Sequence, residues 1–113
     1  MYEYNAKLVR VIDGDTIDAL IDLGFDVWIK KRIRLYGINT PEVRTRDLEE
    51  KKAGILAKER LEEILDGVEG NFILLSKGIG KYGRCLGELL IGEFGEFHVN
   101  NQLLHEGHAE KYE

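Results

Sequence analysis

Between residues 15 and 36 apolar and polar side chains alternate with a period of two, and from residue 47 a helical period replaces it. Ile17, Ala19, Ile21 and Leu23 fall on one side of an extended segment, with Asp18 and Asp22 on the other. Further on, Val27, Ile29, Ile33 and Leu35 oppose Lys30, Arg32 and Arg34. Such alternation is the signature of strands with one buried face. Then Ala53, Leu56, Ala57, Leu61, Ile64 and Leu65 recur at i, i+3, i+4 spacing, which places them on one stripe of a helix. Asp47 with Glu50 three residues later predicts an N-cap and capping box, and Gly67 predicts the stop. A chain that switches period in this way is α+β.

The remaining elements narrow the architecture. Strands are expected over 6–12 and 15–23, joined at "DGD", and over 26–36 after the turn "LGFD". "NFILLSK" reads as a fourth strand, and "CLGELLI" and "EFGEFHV" as two more that turn near Gly92. A short helix follows, capped by Asn100 or Asn101 and stopped by Gly107. Three strands, a helix, further strands and a short helix predict a five-stranded OB-fold (Greek-key) barrel with two to three packed helices. At 113 residues the chain is expected to form one domain over 1–113. Within it, Cys85 is expected as a small buried residue and Trp28 as packed against the barrel.

Function classes are bounded by charge and by what is missing. No apolar run reaches membrane-spanning length, so no membrane partner is expected. No signal peptide is visible, which predicts a cytoplasmic protein or a processed mature form. The single cysteine excludes an intrachain disulfide. A net charge of −5 opposes nucleic-acid binding when taken whole. Its distribution does not: residues 26–46 and 77–84 are basic, whereas 47–66 and 85–113 are acidic. Local fields steer charged ligands more directly than the total.

Three short stretches carry residue types suited to phosphate chemistry. In "DGDT", Asp13 and Asp15 flank a glycine, and hard cations take carboxylate oxygens on such bends. In "RIRLYGINTPE", Asn39 and Thr40 offer carbonyl oxygens and Glu42 a carboxylate able to polarise water. In "KYGR", Arg84 presents a planar fork matched to two phosphate oxygens, beside Lys81 and Tyr82. Each stretch alone is also what an ordinary turn looks like. Together they supply what phosphodiester hydrolysis needs: an activated water, neutralised equatorial oxygens and help for the departing oxygen.

In order and spacing, Asp15 in "DGDT", "RLYGINTPE" with Arg34 and Glu42, and "KYGR" closely resemble the staphylococcal nuclease (thermonuclease) family. The tail "HVNNQLLHEGHAEKY" is similar to that family's helix after the barrel. The resemblance implies an OB-fold, a bound calcium ion and cleavage of DNA and RNA, single-stranded or frayed, to 3′-phosphate ends. It implies that Asp15, Asn39 and Thr40 hold the metal and that Arg34 and Arg84 grip the scissile phosphate. Glu42 would act as general base, and Lys81 and Tyr82 would contact a neighbouring phosphate. Asn39 departs from the aspartate usual in the family, so a carbonyl oxygen remains but a charge is lost. The competing expectation is a domain of the same family that binds nucleic acid or serves as a scaffold without cleaving. No obligate protein partner is inferred.

Overall fold

The computed structural model describes residues 2–80 and 83–112. Lys81 and Tyr82 lie outside the described residues. Five long strands carry the fold: β1 Glu3–Asp13, β2 Thr16–Asp22, β3 Trp28–Leu35, β5 Asn71–Ile79 and β6 Cys85–Ile91. Two-residue strands β4 (Ile38–Asn39), β7 (Phe97–His98) and β8 (Glu110–Lys111) accompany helices α1 (Leu48–Asp66) and α2 (Val99–His105). β1 pairs antiparallel with both β2 and β5, β2 with β3, and β5 with β6. Parallel pairing of Ile33–Leu35 with Cys85–Gly87 closes the ring. The result is a five-stranded mixed barrel with two helices, consistent with an OB-fold. Register shifts in β1 after Leu8 and after Val11 bend it, so that one strand serves both sides of the barrel.

The buried face predicted by alternation forms the core. Ile17, Ala19 and Ile21 meet Ile33, Leu35, Leu74 and Leu89 inside the barrel. Leu61 and Leu65 of α1 and Val99 and Leu103 of α2 cover its ends. Burial of each such side chain stabilises by about 1.5–3 kcal/mol. On the polar face Asp18 is nevertheless buried, because Arg10 Nε (3.0 Å) and Arg32 Nε (2.9 Å) close over it. The Arg32 hydrogen bond outweighs burial and, with Arg10, pulls the Asp18 carboxyl down to about 2.

Several expected details are corrected. On α1 the buried stripe is Gly54, Ala57, Leu61, Ile64 and Leu65; Ala53 and Leu56 face solvent. Asp47 caps α1 by accepting from Glu49 N (3.0 Å) and Glu50 N (3.3 Å). The return half of the box is made by Thr45, whose hydroxyl accepts from Asp47 N. Gly67 ends the helix in right-handed geometry, and the left-handed reversal falls at Glu69 and Gly70. "EFGEFHV" is mostly turn, with strand only at Phe97–His98. His98, not an asparagine, caps α2: its Nδ1 accepts from Asn101 N at 3.1 Å. Asn100 is instead buried at the barrel seam, accepting from Leu89 N and donating to the carbonyls of Tyr36 and Gly87. Cys85 is half-buried and Trp28 is half-exposed at the outer end of β3.

Candidate nucleic-acid interface

The β1–β2 turn presents Asp15. Its neighbour Gly14 is required by packing: a Cβ there would lie 2.7 Å from Ala57 Cβ on α1 and 3.1 Å from Thr40 Cγ2. That close approach sets the turn against the segment after β3. Leu35 N donates to the Asp15 carbonyl (2.7 Å), and Thr40 N donates to Asp15 Oδ2 (2.9 Å). Oδ1 accepts from the Thr16 hydroxyl at 2.9 Å.

Arg34 completes the cluster. Thr16 is its partner across the β2–β3 ladder, so register alone brings the guanidinium beside Asp15. Arg34 Nη1 lies 3.0 Å from Asp15 Oδ2 without making a directed hydrogen bond, and Nη2 donates to Asn39 Oδ1 at 3.1 Å. Its Cζ sits 5.5 Å from the centre of the Tyr112 ring, within cation–π range. Tyr112 is fixed by its N–H, which donates to the Gly37 carbonyl (2.9 Å), and by β8 pairing with β4. Glu110 stands directly across that ladder from Asn39.

Arg34, Asn39 and Arg84 line one cleft of about 460 Å³ together with Tyr36, Gly80 and Tyr112. Asp15 and Thr40 are buried and do not line the cleft; Asp15 meets the cleft residue Arg34, and Thr40 N donates to Asp15. Glu42 is not among the cleft residues. It is exposed and lines a separate depression with Arg10, Arg32, Arg44 and Lys58. A larger depression between β1 and α1 is walled by Glu59, Glu62, Glu63, Asp66 and Glu69, which oppose a phosphate ligand. Tyr36 was missed by the sequence reading, although it shares the parity of Arg32 and Arg34 and so projects from the same side.

The Asp15 carboxylate and Asn39 Oδ1 both meet Arg34, and Thr40, bonded to Asp15 through its N–H, has a buried hydroxyl without a hydrogen-bond partner. Among the described residues no three His, Cys, Asp or Glu side chains converge. His105 and His108 stay apart from the cleft, and His108 Nε2 faces Glu106 at 3.7 Å.

The staphylococcal nuclease homologue model matches residues 32–113, a stretch that holds Arg34, Asn39, Thr40, Glu42 and Arg84. The chain belongs to that family. Protein ParB of Escherichia coli is 31% identical over 118 residues, which cover 97% of this chain and 58% of that relative. The chain thus spans a little over half the length of the curated relative it matches. Membership of the staphylococcal nuclease family supports a nuclease-related role and a nucleic-acid-binding surface.

Proposed function

We propose that this chain hydrolyses phosphodiester bonds in DNA and RNA, with calcium as cofactor, leaving 3′-phosphate ends. The observation that supports it is the single cleft into which Arg34 and Arg84 both open. Two planar forks at one cleft suit the equatorial oxygens of a phosphate, whose charge grows towards the transition state. Tyr36 and Tyr112 flank them with ring faces on which bases stack.

A hard cation fits the donor set in kind, since every donor is oxygen and Thr40 contributes an unpartnered buried hydroxyl beside the residue that holds Asp15. Asp15, Asn39 and Thr40 are the residues that would hold calcium, and a single carboxylate gives weak affinity. When bound, the ion supplies charge neutralisation at the phosphate and polarises water. Arg34 orients the phosphate from a fixed position, since Asp15 and Asn39 together restrain its rotation. Glu42 is assigned the general base; its loop carries it among Arg10, Arg32, Arg44 and Lys58, so it must reach the cleft from that position.

That placement of Glu42 favours one alternative: a member of the family that binds nucleic acid and cleaves weakly or not at all. Incubation of purified protein with denatured DNA, in calcium and then in EGTA, separates the two readings. Cleavage in calcium that stops in EGTA and leaves 3′-phosphate termini supports the nuclease. Binding without cleavage in either buffer supports the alternative.

A further inference from the structure

The hairpin joining β2 to β3 carries an apolar surface that the barrel does not use. Leu23, Val27 and Trp28 are about half exposed, and Phe25 is fully exposed. Val27 N donates to the Gly24 carbonyl (2.9 Å) and Leu23 N to the Val27 carbonyl (2.8 Å), closing a tight turn. Its central residues, Phe25 and Asp26, have φ of 55° and 61°. Consecutive left-handed residues at a hairpin tip are ordinarily Asn-Gly, and an aromatic is a poor choice for folding. Strain at an exposed aromatic with no packing role points to function at that tip.

The strand behind the tip leads to the cleft. Trp28, Lys30, Arg32 and Arg34 share one face of β3, and the six residue-to-residue steps from Trp28 to Arg34 span about 20 Å. Within β3, only Ile33–Leu35 pair with β6, so among the described residues the outer edge of Trp28–Arg32 is open. Arg32 is taken up by Asp18, whereas Lys30 and Lys31 are exposed and in no ion pair among the described residues.

We propose that this arm is a second contact for nucleic acid. An unpaired strand leaving the cleft runs along β3, with Lys30 at its phosphates and Trp28 and Phe25 stacked on its bases. The proposal rests on the nucleic-acid reading of the cleft. An unpaired strand is favoured because stacking needs base faces that a duplex keeps covered.

Trp28 is the only tryptophan in the chain, so emission under tryptophan-selective excitation, which leaves the five tyrosines dark, reports on the arm. The full chain is titrated in EGTA with a labelled 16-nucleotide oligo(dT), anisotropy reporting binding and tryptophan emission reporting stacking. The expected result is quenching of Trp28 together with binding. Phe25→Ala should weaken binding of the 16-mer by about tenfold. Lys30→Glu should weaken it and flatten its salt dependence. Both side chains are exposed, and circular-dichroism melts verify that the variants fold. Binding by anisotropy with unchanged Trp28 emission and unchanged Phe25→Ala affinity overturns the arm and leaves the cleft reading standing. Absence of any binding overturns both. A blue shift of Trp28 on vesicles of anionic phospholipid, with no response to oligo(dT), overturns the proposal in favour of a lipid contact.

Discussion

Arg34 meets three partners at once: the buried carboxylate of Asp15, the amide oxygen of Asn39 and the ring of Tyr112. A group so restrained loses little freedom when it takes a phosphate, which is the physical content of preorganisation. Arg84 lines the same cleft from the opposite motif, and its value lies in a planar fork. Arg84→Lys is therefore expected to lower kcat/KM nearly as far as Arg84→Ala; a lysine variant with wild-type kinetics would contradict the fork. Asn39→Asp adds a second carboxylate beside Asp15, and calorimetric titration should show tighter calcium binding in that variant. Equal or weaker affinity removes Asn39 from the metal ligands. Glu42→Gln is expected to cut turnover by about 10²–10⁴-fold through loss of general-base help. An unchanged rate would assign that exposed carboxylate to the basic depression it lines and not to the reaction.

Two elements hold these residues in place, and both act through backbone contacts. On α1, a Cβ at Gly54 would fall 2.6 Å from the Glu42 carbonyl oxygen and 2.7 Å from its carbon. In an exposed helix interior Gly→Ala gains up to about 1 kcal/mol, but here the sign reverses. Gly54→Ala should destabilise by about 1–3 kcal/mol and displace the loop carrying Glu42, read by urea unfolding and by kcat together. On α2, Asn100 joins the seam where β3 meets β6, because Tyr36 N also donates to the Gly87 carbonyl (2.8 Å). Asn100→Leu leaves the Leu89 N–H without its partner and should cost about 1–3 kcal/mol per orphaned group. Asn100 also shows where sequence reading stops. An asparagine near a helix start reads as a cap, since its side chain can accept from the first turn. The same amide, once buried, serves three backbone groups, two on β6 and one just past the end of β3, and no local pattern distinguishes the cases. Alternation found the barrel strands because it reports the pleat. It does not report where the core ends, so Leu23 and Val27 continued the pattern into solvent. At the cleft, residue chemistry was legible, while the pairing of Asp15 with Arg34 needed the Thr16–Arg34 register.

Across the whole molecule, two carboxylates link separate elements and make stability depend on acid. Asp18 ties β2 to β1 and β3 through Arg10 and Arg32. Glu106 ties the end of α2 to α1, accepting from Arg60 Nε (2.6 Å) and Nη2 (2.8 Å) and from Gln102. Both carboxyls titrate at about 2 when folded, against ordinary values of 3.8 and 4.5, because the arginine hydrogen bonds favour the charged form. A depressed folded pKa means the unfolded chain binds protons first as pH falls. The stabilisation is present above about pH 4.5 and is lost progressively down to about pH 2. Denaturation midpoints measured between those limits should fall steadily, and Glu106→Gln should flatten part of the slope; a midpoint independent of pH would remove both pairs as stabilising links. The pairing of β8 with β4 sets a further condition on any laboratory work. Residues 110–112 run alongside the cleft mouth, so a fluorescent label attached at the exposed Lys111 would stand where substrate enters. Kinetic preparations therefore need their label elsewhere, and a derivative labelled at Lys111 with poor turnover would report obstruction before it reported chemistry.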